Sequence, residues 1–217
     1  MTIDRVIRVA VVGLAAIGCL VFSPAWAQQQ AATAPDALAK SVTDEVLAVL
    51  RADKDIQAGN TKKVVDLVEK KVLPHFDFTR MTQLAVGRNW QQASPDQQKA
   101  LTNEFRGLLV QTYAATLTSY RDQKIDYRPL RMDPADTDVV VKSLINQSGG
   151  SPVTVDYKMR KTDAGWKVYD VIVGDLSLVQ SYRGTFTSEV QKTGIDGLIK
   201  VLGEKNRQLA ANSQTGK

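Results

Sequence analysis

The sequence predicts an α+β protein in which helices come first, an antiparallel sheet follows, and helices close the chain. Apolar residues recur three and four positions apart between residues 36 and 121, which is the spacing of amphipathic helices. From residue 124 to residue 173 the spacing changes to alternation, which is typical of strands with one buried and one wet face. Helical spacing returns after residue 177. We therefore expect a twisted antiparallel sheet whose dry face packs against helices and forms a hydrophobic cone, plus a helical subdomain.

The first 27 residues have the three parts of a secretory signal peptide. Arg5 and Arg8 supply the positive region, residues 9–22 supply the apolar region, and residues 25–27 form an Ala-x-Ala cleavage site. The apolar region is shorter than the about 20 residues that a membrane span needs. An uncleaved anchor is the alternative. The sequence therefore predicts export with a cleaved signal peptide.

Residues with catalytic or metal-binding side chains are scarce in this sequence. The only cysteine, Cys19, lies in the predicted signal peptide, and His75 is the only histidine. The sequence contains no motif of a serine hydrolase, a zinc protease or a phosphate-binding loop. These observations predict a protein without a metal or a cofactor.

The chain carries more basic than acidic residues, with 28 Lys and Arg against 23 Asp and Glu. One interpretation is attraction to anionic lipid headgroups, which is worth about 1 kcal/mol per basic residue near such a surface. The alternative is an ordinary solvated surface. Nucleic-acid binding is disfavoured because the basic residues form no dense block and do not alternate with aromatic residues.

One domain is predicted for most of the chain that follows the signal peptide. Its internal boundaries come from capping residues and from the change of periodicity. Asp77 and Ser94 are candidate N-caps, and Gly87 is a candidate helix end. The predicted segments are a disordered leader at 28–35, one domain at 36–210 with helical parts at about 36–121 and 176–210 and a sheet at about 124–173, and a flexible tail at 211–217.

The closing part of the chain carries the most informative pattern. A strand from Trp166 to Val173 leads directly into an amphipathic helix, and a second helix follows Gly194. Together with other positions, this pattern resembles the MlaC family, also called toluene-tolerance proteins, over nearly all of the chain after the signal peptide. Asp175 stands where the family usually has glycine, which shifts the turn chemistry to Gly174. The other matching positions are Gly87, Trp90, Gln97, Phe105, Tyr113, Tyr120, Ser177 to Val179, and Tyr182 with Arg183.

The resemblance implies a fold and a function. Members of the family are periplasmic carriers that move phospholipids between the two membranes of Gram-negative bacteria, and their fold is an NTF2-like sheet and helix pair with a helical subdomain. The implied partners are phospholipid, an outer-membrane lipoprotein–porin complex, and an inner-membrane ABC transporter complex with an anchored lipid-binding subunit. For this chain the resemblance implies maintenance of outer-membrane lipid asymmetry.

The apolar faces that must meet are the expected site of the acyl chains. They lie on the long helix before residue 121, on the strands, and at the start of the closing helix. The alternative is that these residues fill a solid core, because protein interiors normally pack to crystal-like density. The predicted lipid-binding residues are Leu101, Phe105, Leu108, Leu109, Thr112, Tyr113, Thr116, Leu117, Val139, Val141, Val155, Tyr157, Met159, Trp166, Val168, Ile172, Leu178, Tyr182 and Phe186.

Two further hypotheses concern charged residues. A basic rim at the mouth of the cone would hold the headgroup or meet an acidic partner, and its predicted members are Arg80, Arg88, Arg121, Lys124 and Arg183. Asp170 would lie on the same side of its strand as Trp166 and Val168 if alternation is unbroken. An acid in an apolar cone could act as a base in an NTF2-like enzyme on a hydrophobic small molecule, which is the alternative function. A bulge, or pairing with Arg183, would remove that possibility.

Overall fold

The computed structural model describes residues 33–118, 120, 123–146 and 150–215. The predicted signal peptide, most of the predicted leader, and Arg121 lie outside these ranges. Within them the chain has six α-helices and one antiparallel sheet of five strands, which confirms the α+β class. The helices are α1 Pro35–Ala52, α2 Lys54–Gln57, α3 Thr61–Lys71, α4 Phe78–Val86, α5 Pro95–Leu117 and α6 Leu178–Thr215, and the strands are β1 Lys124–Tyr127, β2 Asp138–Asn146, β3 Val153–Thr162, β4 Gly165–Val173 and β5 Leu176–Ser177.

The capping residues predicted from the sequence begin and end the helices in the structure. Asp77 accepts a hydrogen bond from the Arg80 amide at 2.9 Å and starts α4. Gly87 follows the last residue of α4 with a φ of 65°, a conformation that glycine adopts without steric cost. Ser94 and Gln97 each accept a hydrogen bond from the other's amide, at 3.2 and 3.0 Å, which is a capping box at the start of α5.

The closing helix α6 is interrupted at Gly194, as the sequence predicts. The residue has φ 74° and ψ −177°, so the chain changes direction there between two helical segments. The second segment continues to Thr215 and therefore includes most of the region for which the sequence predicts a flexible tail.

The strands follow one another across the sheet in chain order, from β1 at one edge to β5 at the other. Alternation holds along β2 and β3, where Val139, Val141, Val155 and Met159 are buried on one face, called here the inner face. Strand β5 was not predicted, because two residues are too few to show a period. Asp77 donates its amide to the Val168 carbonyl at 2.8 Å, so the residues before α4 also cover the β4 edge.

Buried apolar residues form three clusters. The helical core joins α4, α5 and α6, with Leu101, Phe105 and Phe186 at its centre. The N-terminal core joins α1, α2 and α3 to the C-terminal half of α5. The sheet core covers the inner face of the sheet, and Leu38 and Ala39 of α1 pack against it. Helix α1 therefore spans two cores, because its later turns belong to the N-terminal core. None of the helices in the described ranges is both long enough and apolar enough to cross a membrane.

Candidate functional site

One row of side chains crosses the inner face through all five strands. Tyr127 lies opposite Ser143, Ser143 opposite Val155, Val155 opposite Val173, and Val173 opposite Leu176. This central row is buried in its middle, where Val155 is 7% exposed, and open at one end, where Val173 is 41% and Leu176 is 56% exposed. The inner face is thus a wall that begins at an exposed apolar edge on the β4–β5 hairpin and continues under the helices.

Two further rows of side chains in the sheet core lie beside the central row, farther along the strands from the β4–β5 hairpin. Val141 and Val171 flank Tyr157 in the next row, and Val139 and Val168 flank Met159 in the row after that. Met159 and Val141 are fully buried. Eight of the predicted lipid-binding residues therefore lie together in or against the sheet core, namely Val139, Val141, Val155, Tyr157, Met159, Trp166, Val168 and Leu178.

Three hydroxyl groups interrupt this apolar wall, and a fourth from α1 meets them. The Tyr127 hydroxyl lies 2.7 Å from Thr43 Oγ1 of α1 and donates to the Ala39 carbonyl at 3.2 Å. Ser143 donates to the Val155 carbonyl at 2.8 Å. The Tyr157 hydroxyl interacts with those of Ser143, Tyr127 and Thr43, and burial raises the pKa of both tyrosines.

Sequence reasoning missed three members of this hydroxyl cluster, which comprises Thr43, Tyr127, Ser143 and Tyr157. Only Tyr157 was predicted, as part of the apolar wall. A signal was present in β2, because Ser143 continues the alternating series of Val139 and Val141 on the inner face. A serine at a buried strand position requires hydrogen-bond partners and so indicates a polar group within the wall.

A second group of predicted residues lies in the helical core instead. The Phe105 ring contacts those of Tyr182 and Phe186 edge to face, each with centroids 5.2 Å apart. Burial raises the pKa of Tyr182 to about 12, and the neighbouring Tyr113 adds to this shift. The members of this group are Leu101, Phe105, Leu108, Leu109, Tyr182 and Phe186.

The remaining predicted lipid contacts lie elsewhere. Thr112, Tyr113 and Thr116 are exposed on α5, where Tyr113 lies beside Tyr182 at the margin of the helical core. Leu117 packs against the N-terminal core. The stripe on α5 is therefore divided among two cores and the solvent, because a helix with neighbours on several sides can bury more than one face. Ile172 pairs with Asp156 and Ser177 on the outer face of the sheet.

The position of Ile172 follows from a break in the alternation of β4. Lys158 pairs with Asp170 whereas the next residue, Met159, pairs with Val168, so Tyr169 is an extra residue on β4. Such a β-bulge reverses the faces of all residues that follow it. Asp170 therefore does not share the face of Trp166 and Val168, which it would do only if alternation were unbroken, and the bulge that was one of the alternatives is confirmed.

Asp170 is 2% exposed, and its carboxylate is occupied by hydrogen bonds. It accepts from the Ser177 hydroxyl at 2.8 Å and from the Val179 amide at 3.2 Å. The Lys158 ammonium lies 3.7 Å away, so the basic partner of Asp170 is this lysine and not Arg183. Asp170 thereby joins β4 to the first turn of α6.

The predicted basic rim is only partly assembled. The Arg183 guanidinium packs over Gly87, where an added Cβ atom would lie 3.4 Å from Arg183 Nε, and Arg88 follows Gly87 in the chain. Arg80 donates to Gln83 at 2.9 Å within α4. Lys124 lies on β1, at the sheet edge opposite to the strand that leads into Arg183. Arg88 and Arg183 are thus the two members that the fold brings near each other.

A surface cleft of about 440 Å³ lies between α4, α5 and the β3–β4 turn. The two basic side chains that line this cleft, Lys167 and Arg106, already have partners. Lys167 donates to the Pro74 carbonyl at 2.6 Å, and Arg106 contacts Glu69 at 3.4 Å. The part of the chain that the structure describes contains no cluster of His, Cys, Asp and Glu side chains suited to a metal ion. The inner face of the sheet remains the strongest candidate site.

Comparison with known proteins agrees with this architecture. A solved structure from Ralstonia solanacearum, a phospholipid-binding protein in complex with a phospholipid, superimposes with a TM-score of 0.75 and 43% identity over 81% of this chain and 98% of that chain. The intermembrane phospholipid transport system binding protein MlaC of Haemophilus influenzae is 23% identical over 82% of this chain and 85% of its own length. A toluene tolerance protein of Pseudomonas putida is 26% identical over 84% and 87%, respectively. The MlaC protein family profile matches residues 40–204, and the chain belongs to this family.

Proposed function

We propose that this protein is an exported phospholipid carrier that holds acyl chains against the inner face of its sheet. The observation that carries the proposal is the phospholipid in the Ralstonia structure, which shares 43% of its residues with this chain over almost its whole length. The central row offers that ligand an apolar wall with an exposed edge at Val173 and Leu176. The headgroup would remain outside this edge.

The energetics of acyl chains explain why such a carrier is needed. Two chains contain about 30 methylenes, and each costs about 0.8 kcal/mol to expose to water. Unassisted diffusion of a phospholipid through an aqueous compartment is therefore negligible. A protein that buries the chains makes the bound and membrane states similar in free energy, so that lipid exchanges without a catalyst or a cofactor.

The signal peptide and the family suggest where the carrier acts. We place it in the periplasm, between an outer-membrane lipoprotein–porin complex and an inner-membrane ABC transporter complex with an anchored lipid-binding subunit. In this position it would support lipid asymmetry of the outer membrane. The names of the Haemophilus and Pseudomonas relatives support a role in phospholipid transport and toluene tolerance.

The enzyme alternative loses the observation on which it depended. A general base must have a carboxylate available to the substrate. Asp170 instead accepts hydrogen bonds from Ser177 and Val179 beside Lys158, outside the sheet core. We therefore propose a binding protein without catalytic activity.

Mass spectrometry of organic extracts tests the proposal. Protein purified from the periplasm should release phospholipid, and the Val155→Phe variant should release much less, because the larger side chain fills the central row. Val64→Phe is the matched control, since Val64 is also a buried valine but belongs to the N-terminal core. Equal lipid content in the two folded variants, or wild-type protein without phospholipid, would contradict the carrier.

The basic rim is proposed to act in recognition. Arg88 and Arg183 are both exposed, and the contact of Arg183 with Gly87 places them close to each other. They would meet an anionic headgroup or an acidic partner surface. Because exposed ion pairs contribute only about 0–1 kcal/mol, single substitutions should leave lipid retention nearly unchanged. Binding to a partner should weaken as salt rises, which titration at two ionic strengths would measure.

A further inference from the structure

The hydroxyl cluster lies at a defined depth in the apolar wall. Along the central row, Ser143 is three strands away from the exposed Leu176. Neighbouring strands are about 4.8 Å apart, so this distance is about 14 Å. One leaflet of a bilayer is about 15 Å thick in its hydrocarbon part, half of a core of about 30 Å. An acyl chain of ordinary length that enters at Leu176 and follows the row would therefore end at the hydroxyl cluster.

The hydroxyl cluster directs donors at groups of the protein itself. Four hydroxyl groups bring four donors. Tyr127 donates to the Ala39 carbonyl and Ser143 to the Val155 carbonyl. Thr43 Oγ1 lies 2.7 Å from the Tyr127 hydroxyl, and the Tyr157 hydroxyl interacts with the other three. The cluster is thus a polar group bonded within the protein at the end of an apolar row.

The same hydrogen bonds fasten α1 to the sheet. Thr43 and the Ala39 carbonyl belong to α1, whereas Tyr127 belongs to β1, so the two contacts of the Tyr127 hydroxyl join these elements. Leu38 and Ala39 pack beside them on the sheet core. A chain that extended farther would have to separate α1 from β1 and break polar contacts that an alkyl group cannot replace.

We propose that the hydroxyl cluster is the closed end of the acyl compartment and sets the longest acyl chain that the carrier buries completely. This inference rests on the proposed function, since it concerns the same inner face. The cluster excludes acyl methylenes that would extend past it. Methylenes beyond the limit remain in water, and each costs about fourfold in affinity, the equivalent of about 0.8 kcal/mol.

Binding of a phospholipid series that differs only in acyl chain length tests the proposal. Delipidated wild-type protein is loaded from vesicles of each phosphatidylglycerol, and the bound lipid is measured by mass spectrometry. Retention should fall about fourfold per methylene beyond a limiting length. The Tyr127→Phe/Tyr157→Phe variant keeps both rings and removes both hydroxyls, and its limit should move to longer chains.

Two further variants control the experiment. Tyr120→Phe removes a hydroxyl that contacts Arg51 and the Gln123 carbonyl outside the sheet core, and it should keep the wild-type limit. Thr43→Val replaces the α1 member with a side chain of the same shape and should shift the limit in the same direction as the tyrosine pair, so that the test does not depend on one variant.

The outcomes separate the two proposals. Wild-type protein that binds no phospholipid would overturn the carrier itself. A wild-type protein that binds phospholipid, with a limit that neither the tyrosine pair nor Thr43→Val moves, would overturn the role of the hydroxyl cluster alone. Equal loss of every chain length in the folded variants would also overturn it, since the cluster would then contribute to binding and not to exclusion.

Discussion

The helical core and the sheet core use their apolar residues differently. In the helical core, Phe105 and Leu101 are completely buried, and the aromatic rings contact one another edge to face. In the sheet core the wall contains three hydroxyl groups that meet a fourth from α1, and its central row ends in the exposed side chains of Val173 and Leu176. The contrast teaches that the widest apolar stripe in a sequence can lie in a tightly packed core, whereas the proposed ligand surface combines apolar residues with exposure and a polar boundary.

The largest expected effect is a loss of unfolding free energy on replacing one large buried side chain in each of the two cores by alanine. Phe105→Ala should lower the free energy of unfolding by about 3–5 kcal/mol, because it removes a fully buried ring. Met159→Ala, at an equally buried position of the sheet core, should cost about 2–5 kcal/mol. Both values can be measured by urea unfolding of delipidated protein. We expect only Met159→Ala to reduce phospholipid retention in the folded state.

Lipid content under native conditions decides between the two cores. Retention is compared in folded samples of both variants at equal protein concentration. A folded Phe105→Ala protein that loses phospholipid as completely as Met159→Ala would show that the helical core also contacts the ligand. The sequence-based prediction for Phe105, Leu109 and Tyr182 would then hold.

Asp170 joins the two regions, and its substitution should have an intermediate effect. Asp170→Asn removes a charge that accepts hydrogen bonds from Ser177 and Val179, and a hydrogen bond to a charged group contributes about 1.5–3 kcal/mol. We expect a loss of unfolding free energy of this size with unchanged phospholipid retention. Ser177→Ala, which removes one of the donors, should cost less.

Lipid transfer between vesicles provides the contrasting measurement for Asp170→Asn. A carrier should transfer phospholipid at nearly the wild-type rate below the denaturation temperature. An acid–base enzyme would lose turnover by about 10²–10⁴-fold. A folded Asp170→Asn protein with abolished lipid transfer would therefore contradict the carrier prediction and restore the enzyme hypothesis.

The sequence predicted the elements better than it predicted their partners. The caps at Asp77 and Ser94 and the break at Gly194 were found because their signals are local. A bulge was one of the two alternatives kept open for Asp170, but its position at Tyr169 was not identified, because an extra residue in a strand depends on the pairing with β3 and leaves no local mark. One such residue was enough to move Asp170 and Ile172 to the other face.

Only part of the candidate site was predicted, and the reason is similar. Alternation identified the wall residues of β2, β3 and the first half of β4. The assignment of α5 to the same interior was an inference about which faces meet, and periodicity holds no information on that point. Thr43 was missed because it lies on a helix that the sequence placed only by its apolar face, and its partner Tyr127 is 84 residues away.

The smallest expected effect is a pH dependence of stability that arises from His75, at the junction between the helices and the β4 edge. Desolvation, together with the nearby Lys167, lowers the pKa of His75 below its usual value of 6.5, and Glu45 opposes this only weakly. The Lys167 ammonium is held nearby by its hydrogen bond to the Pro74 carbonyl. Because the unfolded chain then binds the proton more tightly than the folded protein, the stabilising contribution is complete above about pH 6.5 and is lost as the pH falls toward the folded-state pKa.

His75→Gln isolates this contribution. The carboxylates titrate in both proteins, so the difference between the two urea midpoints reports the histidine. Wild-type protein should lose more stability than His75→Gln between about pH 7.5 and pH 5, since its unfolded state binds the proton at a higher pH than its folded state. If the urea midpoints of the two proteins change equally over the whole pH range, the His75 pKa is the same in the folded and unfolded states. Because this site belongs to the helical side of the structure, phospholipid retention should not change with the His75 substitution at either pH.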